Sequence, residues 1–264
     1  MKTNPTIDIP QDLTLALQRT KHVVVFTGAG VSAESGIATF RDALTGLSER
    51  FDAADLATPE EFQNDEELVC WGWYEWRRMQ VLRAQPNSAH LAIAALARCV
   101  PTLTVITQNV DDLHESGGSV GVLHFHGSLH HPRCSVCSNA HTLPPGIPEE
   151  PEGGRRLCPP RCRQCGKSVR PGVVWFGEDL PVKELSHAFA AASGCDVLFV
   201  VGTSGLVRPA ASIPLLAKRA GAMVVQVNPM GTQLDSACTR SLRGAAGEVM
   251  QRLVQATFPT AAVP

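Results

Sequence analysis

Four cysteines stand as two pairs of identical spacing, Cys134-Ser-Val-Cys137 and Cys162-Arg-Gln-Cys165. Each C-x2-C pair can clamp one edge of a tetrahedron. Together they ask for zinc in a shell of four thiolates, which leaves no open position for a substrate. The role this implies is structural. Cys158 is an extra thiol that could replace Cys162. The matched spacing of Cys162 and Cys165 with the first pair favours Cys162.

A second constellation is a glycine turn. Gly28, Gly30 and Ala33 follow the β-branched run in "HVVVFTGAG" and satisfy the loose form G-x-G-x-x-A. Glycine lets a backbone approach a pyrophosphate, and a helix N-terminus supplies amide donors. A tight turn without a ligand satisfies the same letters. An ordinary hydride-transfer enzyme also wants an acidic residue about 20 residues on, at the end of the second strand. Here the chain enters an aromatic stretch instead, "VCWGWYEWRR", residues 69–78. Further along, Asp111 and Asp112 follow Asn109 in "TQNVDDLHE", where an acidic residue would also cap a helix. The segment Leu123-His124-Phe125-His126-Gly127 offers two imidazoles. Either suits a base working near neutral pH, and either could be a structural hydrogen-bonding group.

Strands must hold these groups. Four apolar runs read as buried strands: "HVVVFTGAG", "PTLTVITQN" (101–109), "CDVLFVVGTSG" (195–205) and "AMVVQVNP" (222–229). A helix-like segment precedes each, from "QDLTLALQRT" to "ASIPLLAKRAG". Continuous apolar strands alternating with helices predict right-handed βαβ units and an α/β, doubly wound parallel sheet of Rossmann-like form. Ligands of such sheets sit at the carboxyl ends of the strands. Those ends read Gly28-Ala29-Gly30, Thr107-Gln108-Asn109, Gly202-Thr203-Ser204 and Asn228-Pro229, all small or polar. Two segments break the rhythm. Residues 42–85 are helical and aromatic, and 127–171 hold the paired cysteines and many prolines. The expected division is a Rossmann-like domain over 10–41, 86–126 and 172–258. A smaller domain combines the helical insertion 42–85 with the zinc-binding module 127–171.

Composition narrows the function. With 264 residues, 44% hydrophobic and 18% charged, the chain has the make-up of a soluble globular protein. A formal net charge of −2 argues against a nucleic-acid binder, a zinc ribbon included. No apolar run is long enough for a membrane span. The polar start "MKTNPTIDIPQDL" has no apolar signal core. Nine cysteines, an odd number, fit one metal site plus reduced thiols better than a disulfide framework. A cytoplasmic monomer is expected.

The longer string "GAGVSAESGIATFRD" resembles the NAD-binding motif of the sirtuins, NAD-dependent protein lysine deacylases. The resemblance continues through "TQNVDDLHESGG" (107–118), "HGSL" (126–129), the cysteine pairs, "RPGVVWFGE" (170–178), "GTSG" (202–205) and "VNP" (227–229), spanning roughly residues 20–250. It implies two cofactors, NAD and zinc. In this family the acyl oxygen of a modified lysine attacks the ribose carbon that carries nicotinamide, and a base then activates a ribose hydroxyl. The pattern places that base at His126, directly before the glycine, and Gln108 and catalytic Asn109 on the same ribose. Asp111, aided by the backbone at Val110, recognises the nicotinamide carboxamide. Gly28, Ala29, Gly30 and Ser32 belong to the cofactor turn. Phe40 shields the reacting ribose and Arg41 faces the phosphates. Gly202, Thr203 and Ser204 meet the adenine-side ribose and phosphates, Asn228 the adenosine ribose, and Ala246 lies under the adenine. The segment 173–178 is an extended strand for the substrate peptide, with Val174, Trp175 and Phe176 lining the acyl-lysine tunnel and Gly177 and Glu178 completing it. Four positions depart from the pattern: Ser48 for an aromatic, Asp112 for asparagine, Gly172 for histidine and Arg208 for tyrosine.

Tyr74, the only tyrosine, and Arg77 fall one helical turn apart if residues 66–84 are helical. One sirtuin subgroup carries this Tyr-x-x-Arg pair at the far end of the acyl tunnel. A guanidinium grips a carboxylate with two parallel bonds and a phenol adds a third donor. Acetyl-lysine offers no carboxylate; succinyl-, malonyl- and glutaryl-lysine do. The remaining expectation for this stretch is that Trp71, Trp73 and Trp76 pack the smaller domain, while Ala43 widens the acyl pocket. The resemblance therefore implies removal of acidic acyl groups from protein lysines, with weaker deacetylation. Nicotinamide and O-acyl-ADP-ribose are released. The alternatives are a generic deacetylase or a mono-ADP-ribosyltransferase.

Overall fold

The computed structural model describes residues 7–37, 57–146 and 156–261, and the side chains of 68–71 fall outside it. Phe40, Arg41, Ala43 and Ser48 lie outside the described residues.

Six strands form one parallel sheet: β1 (His22–Thr27), β2 (Thr102–Thr107), β3 (Leu123–His124), β6 (Val197–Val201), β7 (Met223–Val227) and β8 (Arg240–Leu242), in the order β3-β2-β1-β6-β7-β8. The four strands expected from apolar runs are its centre. The two edge strands are two and three residues long and too short to leave a pattern.

The continuous apolar runs exist because both faces are covered. On one face Val23, Val25, Val105, Val197, Phe199 and Val225 meet three helices: α1 (Gln11–Arg19), α4 (Ser88–Ala97) and α8 (Ala246–Thr257). On the other, Val24, Phe26, Ile106, Leu198 and Val200 meet α6 (Val182–Gly194) and α7 (Ile213–Arg219). Alternate residues of one strand serve opposite cores, as the two-residue period of a strand requires.

A third core lies apart from both. It joins Ala57, Phe62, Trp73, Tyr74, Val81, Leu129, Val173 and Trp175. Its helices are α2 (Pro59–Asn64), opened by a Thr58 side-chain cap, and α3 (Tyr74–Arg83). Its strands are the antiparallel pair β4 (Gly127–Cys134) and β5 (Val169–Val173). The single helix expected over 66–84 is split. Glu66–Trp73 forms a π-helical stretch and α-helical geometry starts at Tyr74. Tyr74 and Arg77 both fall in the α-helical part, so their one-turn spacing holds. Trp73 is buried and Trp76 packs against the same core, as expected of them.

Candidate active site

The sheet order reverses direction at β1: β2 lies to one side and β6 to the other. The crevice between the ends of β1 and β6 is the switch point at which open α/β sheets take ligands. Two turns meet there. The Gly30 amide donates to the Gly202 carbonyl at 2.8 Å, and a Cβ on Gly30 would sit 2.8 Å from Gly202 Cα. Any side chain at Gly30 would push the turns apart. Short 3-10 turns follow at Ala29–Val31 and Ala33–Ser35.

The end of β2 is tied across this crevice. The Gln108 amide group donates to the Thr203 hydroxyl at 3.0 Å, and Asn228 Nδ2 donates to the Thr203 carbonyl at 3.2 Å. Asn109 Nδ2 donates to the Ser32 hydroxyl, which donates to Asp111 Oδ2, each at 3.0 Å. The other Asp111 oxygen accepts the Leu113 amide at 3.2 Å and opens the short helix α5 (Leu113–Ser116). Asp111 therefore holds the first amide of α5 and belongs to the polar chain at once. Asn109, Ser32 and Asp111 are all buried. Burial raises the Asp111 pKa, and the bonds from Leu113 and Ser32 oppose that rise. On the far side Ala246 is buried at the start of α8, where the Gly247 amide donates to Glu34 Oε2 at 2.8 Å. The glycine motif and α8 are thereby joined.

Partners separate the two imidazoles of "LHFHG". His124 has an acceptor on each nitrogen: Glu115 Oε1 at 2.7 Å from Nε2 and the Asn109 carbonyl at 3.3 Å from Nδ1. Burial lowers its pKa, but the pairing with Glu115, the Asn109 carbonyl and the charge of Asp111 together outweigh burial and the net shift is upward. His124 is suited to carry charge as a structural cation. Among the described residues His126 has one acceptor, the Gln108 carbonyl at 3.0 Å from Nδ1. That bond assigns the proton to Nδ1 and leaves Nε2 with its lone pair. Burial holds the pKa of His126 below its usual value, against the pull of Gln108. A neutral imidazole with a bare Nε2 is the form a general base requires.

On α3, Tyr74 is buried and accepts a hydrogen bond from Trp175 Nε1 at 3.0 Å. Arg77 is half-buried, with its guanidinium 5.0 Å from the Trp73 ring centre. Burial lowers the Arg77 pKa, while Tyr74 and Asp111 act to raise it. The α3 face and the Asp111 chain thus lie within electrostatic reach. Residues 173–178 are not extended throughout: after Val174 the chain makes a turn, with Gly177 at φ 84°. The turn is held by Glu178, which accepts the Trp175 amide at 2.8 Å. Phe176 is exposed and Trp175 buried, so the two rings point to different surroundings. A Cβ on Gly172 would run into the His131 carbonyl, so the β4–β5 pair has closed over the position where the sirtuin pattern carries histidine.

Several partners had no signal in the sequence. Thr27 and Thr107 end β1 and β2 and share a 2.8 Å hydroxyl bond; Thr107 also accepts the Asn109 amide at 3.0 Å. His114 Nε2 lies 3.0 Å from the Thr27 hydroxyl, and its ring meets that of His90 edge-on at 4.9 Å. Burial lowers His90 to a pKa of about 4 and His114 to about 3. Both stay neutral, and both are framework.

The four paired cysteines converge, with all Sγ atoms within 4.8 Å of one another. Cys134 and Cys165 sulfurs are 3.4 Å apart, and Cys137 and Cys162 3.6 Å. Zinc at about 2.3 Å from each sulfur would set them about 3.8 Å apart. Amides of Val136 and Gln164 point at Cys134 and Cys162 Sγ, both at 3.4 Å, which stabilises thiolates. Each knuckle ends on a residue of positive φ, Ser138 and Gly166. The set fits zinc. Cys158 is not part of it; its thiol lies against Glu67 Oε1 at 3.1 Å.

The chain matches the Sir2 family over residues 28–209. It is 61% identical to the NAD-dependent protein deacylase of Methylococcus capsulatus over 95% of this chain and 98% of that protein. It is 58% identical to NAD-dependent protein deacylase 1 of Pseudomonas aeruginosa, over 90% and 95%. Among solved structures it is similar to a Sir2 homologue in complex with NAD, at 44% identity, 98% coverage of both chains and a TM-score of 0.87. It is also similar to a Sir2 homologue bound to ADP ribose, at 45% identity, coverage of 95% and 97% and a TM-score of 0.86.

Proposed function

We propose, from the premise that this chain belongs to the Sir2 family and is an NAD-dependent protein deacylase, that the acyl groups it removes from lysine are acidic ones: succinyl, malonyl and glutaryl. The observation that carries this reading is the pairing of Tyr74 and Arg77 one turn apart on α3, with burial working against the guanidinium charge. A cation so placed is stabilised by an anionic ligand, and a carboxylate matches both donors. An acetyl methyl group matches neither.

NAD, when bound, supplies the ribose carbon that accepts the acyl oxygen and the nicotinamide that leaves. In this reading the crevice between β1 and β6 takes the cofactor. Gly28, Ala29 and Gly30 lie against its phosphates with Gly202, Thr203 and Ser204. Phe40 and Arg41 follow in sequence, and Asn228 and Ala246 receive the adenosine end. Gln108 and Asn109 position the ribose, the carboxylate of Asp111 with the Val110 backbone receives the carboxamide of nicotinamide, and Ser32 keeps Asn109 and Asp111 in register. His126 Nε2 takes the proton from the ribose hydroxyl, because Nδ1 is already committed to Gln108. Val174 and the turn Trp175–Glu178 border the acyl-lysine. With one water taken up, the products are the free lysine, nicotinamide and O-acyl-ADP-ribose. Zinc on Cys134, Cys137, Cys162 and Cys165 is structural.

The same reading gives a large domain (10–41, 86–126, 172–258) and a small one (42–85, 127–171); a third core separate from those of the sheet supports a small lobe, and that core also takes in Val173 and Trp175 from beyond the boundary at 172. The reading also takes the enzyme to be a cytoplasmic monomer acting on acylated proteins. No described helix is long and apolar enough to cross a membrane. The test compares acetyl-, succinyl- and glutaryl-lysine forms of one peptide, with NAD, on wild type and Arg77→Met. The expected result is a preference for the acidic peptides that the substitution removes. Equal turnover of all three peptides by both proteins overturns the reading.

A further inference from the structure

Tyr74 serves as a donor to an acyl carboxylate only if its hydroxyl is oriented to give its proton. A phenol both donates and accepts. Indole only donates. Trp175 Nε1 donates to the Tyr74 oxygen at 3.0 Å, inside the third core, with both residues at 5% exposure or less. This occupies the acceptor side of the phenol. Toward any further ligand the hydroxyl is biased to present its proton.

The indole is itself fixed from three sides. The Arg170 guanidinium carbon lies 3.4 Å from its ring centre. Glu178 accepts both Arg170 Nη2 and the Trp175 backbone amide, each at 2.8 Å. Arg170 Nη2 also donates to the Val173 carbonyl at 3.0 Å, and Phe62 packs its ring 5.3 Å from that of Trp175. Arg170, Val173, Trp175 and Glu178 sit within nine residues of chain, so β5 and the turn after it form one rigid mount for a single N–H. A plain apolar wall at 175 would be served by phenylalanine. The nitrogen is what tryptophan adds.

We propose, resting on the acidic-acyl reading, that Trp175 is a positioning residue for acyl specificity: its N–H sets the Tyr74 hydroxyl as a donor, so that the phenol accepts an ionised acyl carboxylate as partner and gains nothing from an acetyl group. An ionised carboxylate only accepts hydrogen bonds, so a proton aimed at it is rewarded and a lone pair is repelled.

The experiment measures kcat and KM for succinyl- and acetyl-lysine forms of one peptide, with KM for NAD alongside. The proteins are wild type, Tyr74→Phe, Trp175→Phe, the double variant, and a chain carrying benzothienylalanine at 175. That last residue keeps the shape of indole and lacks the N–H, so it serves where phenylalanine leaves a cavity that harms folding. Each single change is expected to lower the succinyl-to-acetyl ratio of kcat/KM roughly tenfold, about the worth of one charge-assisted hydrogen bond, through KM for the succinyl peptide. The double variant is expected to be no worse than Tyr74→Phe. An unchanged ratio in both Trp175 variants, with wild type preferring succinyl, overturns the inference and leaves the acidic-acyl reading standing. Losses that add in the double variant, or a KM for NAD that rises equally with both peptides, assign Trp175 a merely structural part and overturn it too. A wild type without preference for the succinyl peptide overturns both readings together.

Discussion

The carboxyl edge of the large sheet and the aromatic core beneath α3 hold their polar groups by opposite means. At the sheet edge the groups hold one another. Asn109, Ser32 and Asp111 form a chain of hydrogen bonds, and Gln108 is tied to Thr203. In the aromatic core, ring packing does most of the holding, backed by the Trp175–Tyr74 hydrogen bond and the Arg170–Glu178 pair. Tyr74 is wedged between Trp73, at 4.6 Å edge-on, and Trp175. A satisfied polar chain is rigid and chemically specific, and removing one member leaves buried partners exposed to the full cost of desolvation. An aromatic core tolerates polar change poorly but leaves its rim open to a substrate.

The harshest break of this contrast falls on the aromatic side. β4 carries Leu129 into that core and Cys134 into the thiol cluster. Cys134→Ala is expected to lose bound zinc, near one per chain in wild type, and with it the fold of the β4–β5 module, because a structural zinc site of this type contributes on the order of 10 kcal/mol to folding. Metal analysis with circular dichroism reads this; retained structure without zinc counts against it. Next, His126→Ala is expected to cut nicotinamide-coupled deacylation by about a thousandfold while His124→Ala does so far less, since only His126 keeps a bare Nε2. Comparable losses in the two variants erase the distinction drawn from their partners.

A pH scan sharpens the polar side. His90 and His114 are held near pKa values of about 4 and about 3 when folded, against about 6.5 for an unfolded histidine. The unfolded chain therefore binds more protons below pH ~6.5. Stability is expected to be full above that pH and to fall by several kcal/mol as pH drops toward about 4. His126, also lowered, adds in the same sense; His124, raised, opposes it. Urea unfolding between pH 7 and 5 measures the slope, and a flat profile contradicts it. The smallest effect is Ser32→Ala. It strips Asn109 Nδ2 and Asp111 Oδ2 of a shared partner, a loss of about 1–3 kcal/mol, expected as a rise in KM for NAD and weaker inhibition by nicotinamide.

Much of this site was legible in residue order. The four central strands, the zinc pairs and the polar strand ends each repeat a local pattern whose chemistry is set by spacing. The edge strands β3 and β8 were not, since two or three residues make no period. Nor was the split of the helix over 66–84, because π and α turns use the same apolar residues. The turn after Val174 depends on Glu178 reaching back to the Trp175 amide, and the apolar residues before it carry the pattern of an extended chain.

The sequence alone determined the α/β sheet, the cysteine pairs as a metal site, and the family resemblance that pointed to His126, Asp111 and the Tyr74–Arg77 pair. Those follow from local periodicity and from residue types at fixed spacing, which survive without knowledge of what packs on what. Only the tertiary structure decided that Cys162 rather than Cys158 joins the cluster, that His124 is paired on both nitrogens while His126 is not, and that Trp175 donates to Tyr74 across 101 residues of chain. Each of these is a contact between segments remote in sequence. A hydrogen bond depends on where two atoms meet, and that is fixed by the packing of the whole chain.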